Sequence, residues 1–178
     1  MRVIAGARRG ARIDAPPGLS TRPTGDRVRE AAFNLIGPLE GASVLDLFAG
    51  SGALGIEALS RGARAAVFVE SDRAACRTID RNLERLRLIG ATIRCEDALR
   101  ALATEARAGR RYDLVLVDPP YGTFPTLQPS LSTSLPPLLA EDGILVVETA
   151  AREHPELPLS ERTSRRYGAA RLTLFEWP

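Results

Sequence analysis

Short apolar runs alternate along this chain with longer stretches whose apolar residues recur every three or four positions. The runs Ser43–Leu47, Ala65–Val69, Thr92–Cys95, Tyr112–Val117 and Ile144–Val147 predict strands, and the unbroken ones mark strands covered on both faces. Between them the spacing predicts a helix from the glycine turn after Leu47 to about Ser60. A second, long helix is capped by Asp72, carries Cys76, Ile79, Leu83 and Leu86 on one stripe, and stops at Gly90. Such alternation builds parallel strands with right-handed crossovers, so the expected fold is a doubly wound, Rossmann-like α/β sheet.

Both ends depart from that rhythm. Arg2–Ala5 and Ala11–Asp14 flank an Arg-Arg-Gly turn and predict a β-hairpin, after which Pro16-Pro17-Gly18 breaks the chain. A helix capped by Thr24 or Asp26 then turns Val28, Ala31, Ala32, Leu35 and Ile36 inward and ends at Gly37-Pro38. At the other end Arg165–Trp177 predicts a closing strand pair, with Leu172, Leu174 and Glu176 alternating with Thr173, Phe175 and Trp177. Prolines 125, 129, 136 and 137 predict that any helix between Thr123 and Pro137 is short or irregular. No repeat or second domain is visible, so residues 1–178 read as one domain, a basic arm over 1–20 and a core over 21–178.

Ligands on doubly wound sheets lie outside the carboxyl ends of the strands. Asp46, Glu70, Glu96/Asp97 and Asp118 all fall at predicted strand ends, four acids on one edge. The turn Asp46-Leu47-Phe48-Ala49-Gly50-Ser51-Gly52 matches the first part of a dinucleotide fingerprint, completed by Gly55 and followed by Glu70. Asp46 argues against a dinucleotide, because a carboxylate four residues before the first glycine would repel pyrophosphate. It would attract the ammonium or sulfonium of S-adenosylmethionine. Phe48, Gly50, Ser51 and Gly52 would then border the cofactor, Glu70 would accept its ribose hydroxyls, and Asp97 with Ala98 would hold the adenine edge. Asp97 serves equally well as a helix cap, and glycines 50 and 52 as a plain tight turn.

The second motif is Asp118-Pro119-Pro120-Tyr121, directly after Leu114-Val115-Leu116-Val117. The lone pair of an aromatic exocyclic amine is delocalised and nucleophilically poor. Accepting its N–H bonds through Asp118 and the Pro119 carbonyl returns electron density to nitrogen. Prolines 119 and 120 fix φ and remove donors, and Tyr121 can stack on a base drawn out of its helix. The chemistry suggested is methyl transfer to an amino nitrogen, with no metal or covalent nucleophile required. His154, among Glu153, Pro155 and Glu156, reads as a surface residue.

Composition adds three points. At 178 residues, 44% hydrophobic and 26% charged, the chain is an ordinary globular domain with no apolar stretch near the roughly 20 residues a membrane span needs. Met1-Arg2 opens no secretory signal, and the lone cysteines Cys76 and Cys95 read as core residues in a reducing cytosol, with no metal-ligand set around them. The net charge of +2 conceals an uneven distribution. Residues 1–30 hold seven arginines against three acids, a net of +4, which leaves −2 for the remainder. Arg2, Arg8, Arg9, Arg12, Arg22 and Arg29 are therefore candidates for RNA phosphates, against the plainer alternatives of a solvated charged face or pairing with core acids.

Taken together the residues resemble the bacterial 16S rRNA guanine-N2 methyltransferases that modify guanine 966. The likeness rests on Arg2-Val-Ile-Ala-Gly with Arg9-Gly10, on the run from Arg22-Pro-Thr-Gly-Asp-Arg-Val through Arg29-Glu-Ala-Ala-Phe-Asn34, and on the two motifs above. The resemblance implies a seven-stranded class I methyltransferase sheet, S-adenosylmethionine as cofactor, and 16S rRNA in assembling small subunits as substrate. It implies cofactor contacts at Asp46, Gly50, Gly52, Glu70 and Asp97, and guanine contacts at Asp118 to Tyr121. Thr24 would meet the methionine carboxylate at a helix N-terminus. Relative to the family, the proline-rich stretch after Tyr121 looks less helical. The expected protein is a cytoplasmic monomer without membrane or metal partners. Three other readings stay open: an N6-adenine DNA methyltransferase, a protein-glutamine methyltransferase (which usually has asparagine where Asp118 stands), and a non-catalytic RNA-binding assembly factor.

Overall fold

The computed structural model describes residues 1–16 and 25–178. Seven strands form one sheet: β1 (Ser43–Leu47), β2 (Ala65–Glu70), β3 (Ala91–Cys95), β4 (Tyr112–Val117), β5 (Leu139–Ala150), β6 (Ser160–Tyr167) and β7 (Ala170–Glu176). Their order is β3-β2-β1-β4-β5-β7-β6, parallel from β3 through β5, with β7 antiparallel to both of its neighbours.

Alternating strand residues feed two cores. Val44, Phe68, Leu116, Val146 and Leu172 pack with α1 (Gly25–Ile36), α2 (Ala53–Ser60) and α3 (Arg73–Leu86). Leu45, Val69, Val117, Val147 and Phe175 pack with α4 (Ala98–Arg107) and α5 (Phe124–Ser134) on the other face. Burial on both faces is why the central strands read as unbroken apolar runs. The strand order reverses beside β1, so the chain leaves β1 for α2 on one face and leaves β4 for α5 on the other. The two departing loops open a crevice at the carboxyl ends of these neighbouring strands.

The amino-terminal arm folds back on itself through one antiparallel bridge, Arg2 to Arg12, with Val3 N–H donating to the Ala11 carbonyl at 2.9 Å. Its turn begins at Gly6, earlier than the Arg-Arg-Gly expected from sequence, and forms a short 3-10 turn over Gly6–Arg8. Gly6 lies so close to the end of α2 that a Cβ would sit 1.8 Å from the Ser60 carbonyl oxygen. Val3 and Ile13 are buried, so the arm is part of the core.

Several expectations need correction. Asp26 sits in the first turn of α1 and does not cap it, while Thr24 and Pro17-Gly18 lie outside the described residues. The inward face of α1 includes Arg29 and Phe33, with Ala31 and Leu35 only half-buried. Helix α3 ends at Leu86, where Arg87 turns left-handed at φ 49°, short of Gly90. Strand β5 runs for 12 residues and β6 begins at Ser160. The proline-rich segment holds an 11-residue helix, α5, followed by a short 3-10 turn over Pro136–Leu138. Pro125 lies in its first turn, where no N–H is needed, and Pro129 is exposed while Phe124 and Leu131 anchor the inner face. Cys76 is buried as expected, but Cys95 at the end of β3 is exposed. No helix among the described residues is long and apolar enough to cross a membrane.

Candidate active site

The turn after β1 is held by backbone geometry that few sequences tolerate. Phe48, Gly50 and Gly52 all have left-handed φ, at 63°, 57° and 77°. For Phe48 that conformation is strained, on the order of 1–3 kcal/mol, and strain of this kind gathers at ligand-binding loops. Glu70 supports the turn from β2: one carboxylate oxygen accepts from Gly50 N–H at 2.9 Å and the other from Asp72 N–H at 2.8 Å. Gly55, the third glycine of the motif, serves packing. A Cβ there would lie 2.3 Å from the Phe68 ring, so α2 could not approach β2.

Asp46 lies beneath this turn and is 1% exposed. Its Oδ2 accepts from Gly55 N–H at 2.8 Å, while Oδ1 is buried with no hydrogen-bond partner among the described residues. Burial first, then the charges of Asp118 and Glu70, push its carboxyl up to about 7 against the lowering effect of the Gly55 hydrogen bond. The acids of the sequence pattern therefore do not merely share an edge; Asp46 feels two of the others. A buried carboxylate with an unpaired oxygen suits a cationic ligand, which fits an ammonium or sulfonium group and would offset the cost of ionising Asp46.

That cost has a measurable sign. Asp46 holds its proton up to about pH 7 when folded but only to 3.8 as an ordinary solvated carboxyl, so the unfolded chain binds fewer protons between these values. Wild-type stability should then fall relative to Asp46→Asn by up to about 1.4 kcal/mol per pH unit between pH 5 and 7, levelling off above. Urea denaturation of both proteins at pH 5, 6, 7 and 8 measures it. A constant difference across that range would mean Asp46 ionises freely.

Asp118 follows β4, its N–H continuing the ladder to the Leu47 carbonyl at 3.4 Å. Pro119 is buried and Pro120 exposed; Thr123 closes the turn, its N–H and hydroxyl donating to the Pro120 carbonyl at 3.1 and 2.6 Å. Tyr121 is half-exposed and its hydroxyl donates to Glu148 Oε1 at 3.5 Å. Asp118 and Glu148 line one cleft with Leu54 of α2, Val28 and Arg29 of α1, and Leu172 of β7. The cleft thus joins the helix of the glycine turn to the second motif. Sequence reasoning missed Glu148. Its signal was available, because Glu148 ends the apolar run Ile144–Val147 as Asp118 ends Leu114–Val117.

Other sequence candidates divide. Asp97 is exposed and caps α4, its Oδ1 accepting from Leu99 N–H at 3.0 Å and Arg100 N–H at 3.1 Å; Ala98 behind it is buried. The Ser51 carbonyl accepts from Asn82 at 3.2 Å, which ties the turn to α3. Arg29 is corrected: its side chain is 3% exposed, donates to Asp26 at 3.2 Å and to the Arg2 carbonyl, and lies 3.8 Å from Glu57. It has no surface to offer RNA. Arg8 spends its guanidinium on the Leu86 and Arg87 carbonyls at the end of α3. Arg2, Arg9 and Arg12 remain exposed, with Arg12 paired to Asp14 at 3.1 Å and Arg2 bonded to the Gly10 carbonyl at 2.7 Å. Arg22, like Thr24, lies outside the described residues.

Comparison with known proteins bears on what this cleft does. A family model described as "Conserved hypothetical protein 95" matches residues 1–176. The chain is 43% identical over 150 residues to "Putative rRNA methyltransferase YlbH" of Bacillus subtilis, covering 83% of this chain and 82% of that one. It is 43% identical over 122 residues to "Ribosomal RNA small subunit methyltransferase D" of Escherichia coli K12, covering 68% of this chain and 60% of that one, so it spans less than two thirds of that relative. Among solved structures it is similar to "Putative methyltransferase yhhF" of Escherichia coli, with a TM-score of 0.83 and 35% identity, covering 100% of this chain and 99% of that one.

Proposed function

The chain belongs to the family described as Conserved hypothetical protein 95, and we propose that within it this protein is an S-adenosylmethionine-dependent enzyme that methylates N2 of a guanine in small-subunit rRNA. The finer form of the proposal is guanine 966 of 16S rRNA in assembling subunits, with the protein acting as a single-domain cytoplasmic monomer. The names of the relatives support an rRNA substrate. The observation that carries the choice of base is the pair of carboxylates in one cleft. β4 and β5 are parallel and in register, Leu116 beside Val146 and Val117 beside Val147, so Asp118 and Glu148 emerge side by side.

Guanine presents donors at both N1 and N2 along one edge, whereas adenine presents a donor at N6 beside an acceptor at N1. Two neighbouring carboxylates match the first edge and repel the lone pair on the second. Asp118 and the Pro119 carbonyl accept from the N2 amine and turn its lone pair toward the methyl donor. Glu148 accepts from N1–H, and Tyr121, braced by Glu148, covers the base. S-adenosylmethionine supplies an electrophilic methyl group on a sulfonium. As the N–C bond forms and the S–C bond breaks, the amine becomes cationic and releases one proton, for which Asp118 is the nearest acceptor in the proposed pose.

The residues proposed to hold the cofactor are Thr24, Asp46, Phe48, Gly50, Ser51, Gly52, Glu70, Asp97 and Ala98. Asp46 offers its unpaired oxygen to the cationic end, Glu70 accepts ribose hydroxyls while bracing the turn, and Asp97 doubles as a cap. The test is to incubate the protein with labelled S-adenosylmethionine and small-subunit particles lacking the modification, then digest and identify the nucleoside. N2-methylguanosine is expected, and Glu148→Ala should reduce its formation about 10- to 100-fold by losing the N1–H acceptor. Methylated adenine in duplex DNA would replace this reading with the DNA enzyme, and cofactor binding without transfer would replace it with an assembly factor.

A further inference from the structure

The strand register carries the cleft beyond its walls. Glu148 pairs with Leu172 across β5 and β7, and Leu172 pairs with Arg165 across β7 and β6. One residue row further, Ala150 pairs with Ala170, and Ala170 with Tyr167. Directly paired residues project to the same face, as do residues two apart in a strand. Arg165 and Tyr167 therefore stand on the face of the sheet that holds Glu148 and Leu172, two strands away, about 10 Å at the usual strand spacing. Tyr167 packs its inner side on the buried cluster that contains Ala170 and Leu172 and remains half-exposed. Arg165 is exposed and makes no ion pair or side-chain hydrogen bond among the described residues.

The hairpin tip is braced by hydrogen bonds. Arg171, 8% exposed, donates to Ser164 at 2.9 Å and to the Ala151 carbonyl at 3.2 Å, and Ala151 N–H donates to the Ala169 carbonyl at 2.8 Å. These bonds tie the turn after β5 to the β6–β7 tip. Arg152, exposed on that turn, adds a second cation without an ion pair among the described residues. Arginines on an exposed edge strand also discourage strand pairing between molecules, and Arg166 on the opposite face needs no further role than that.

We infer that the β6–β7 tip is a single-stranded RNA site flanking the target base: Arg165 and Arg152 hold phosphates, and Tyr167 offers a ring face to a neighbouring base. Exposed cations with an adjacent aromatic platform form the general pattern of single-strand binding. The inference rests on the proposed rRNA activity for its substrate, but not for its measurement. It also moves part of the RNA footprint from the amino-terminal arm and α1, where Arg8 and Arg29 are occupied, to the carboxy-terminal hairpin.

The experiment uses the full-length protein and small-subunit particles lacking the modification, with binding measured as a function of salt and methyl transfer measured alongside. Arg165→Ala should raise KM about tenfold with kcat unchanged, as expected for one lost charge-assisted contact, and should reduce the salt slope of binding by about 0.7, the value for one phosphate of a single strand. Tyr167→Leu keeps the apolar packing and should raise KM without changing the slope. Arg166→Ala, on the far face, should behave as wild type. If wild type transfers methyl but Arg165→Ala matches Arg166→Ala in KM and slope, the site is overturned and the enzyme reading stands. If wild type transfers none, the enzyme reading fails, and the binding slopes still decide the site.

Discussion

Asp118→Ala is expected to lower methyl transfer by at least 100- to 1,000-fold while leaving cofactor affinity within a few-fold of wild type. The size follows from removing an acceptor aimed at the reacting amine, the same order as losing one donor from an oxyanion hole. The insensitivity of cofactor binding follows from position. Asp118 lies in the cleft with Glu148, and its charge is one of the causes that keep the Asp46 carboxyl near 7. Removing it eases ionisation of Asp46, which favours a cationic ligand. Asp118→Asn keeps one carbonyl acceptor and should fall between alanine and wild type. Single-turnover transfer and calorimetric titration with S-adenosylhomocysteine separate the two effects. Transfer by Asp118→Ala above one tenth of wild type would remove Asp118 from the reaction, and a matching loss of cofactor affinity would make it a cofactor ligand.

The parts of this architecture legible in the sequence are those written by local rules. β1 and β4 begin and end where their apolar runs do, because burial on both faces leaves no polar alternation to blur the edge. Asp72 and Asp97 cap helices as their positions suggest. The illegible parts are tertiary. β5 extends back through Glu141, Asp142 and Gly143 because Tyr112 pairs with Leu139 across a register shift, a neighbour the local sequence does not announce. β6 is polar throughout because it is the edge of the sheet and has solvent on one side. α5 survives Pro129 because Phe124 and Leu131 bury their side chains while the missing N–H falls on the exposed face. In the site, Asp46, Glu70 and Asp118 announce themselves as acids at strand ends. Glu148 belongs to the same class, but no recognised motif surrounds it. Arg29 looked like one of a surface cluster, and only the folded positions of Glu57 and the Arg2 carbonyl turn it inward.

Glu57 illustrates the same point with the largest expected effect on stability. In sequence it pairs with Arg61 four residues on, the pattern of an ordinary exposed helix bridge. In the fold it is fully buried and collects donors from three directions. Oε2 accepts from Ile4 N–H at 2.8 Å and Oε1 from Ala5 N–H at 3.0 Å; Arg61 donates to Oε1 at 2.7 Å, and Arg29 lies 3.8 Å from Oε2. Glu57→Ala would strand two backbone N–H groups and leave the buried Arg29 with Asp26 as its remaining counter-charge, a loss of about 3–5 kcal/mol. For a chain of this length that lowers Tm by about 10 °C. Adding Arg29→Met to Glu57→Ala should recover part of the loss, because the buried cation that lost one of its two carboxylates is then gone. Hydrogen exchange at Ile4 and Ala5 should accelerate, since their amides lose the carboxylate that protects them. Arg29 and Val28 also line the cleft, so an arm released from Glu57 frees α1 and should raise KM for the RNA particle more than it lowers kcat. A Tm within 3 °C of wild type for Glu57→Ala would show that Val3, Ile13 and the bonds of Arg8 to the end of α3 hold the arm without it, and that the carboxylate beneath it is incidental to the site.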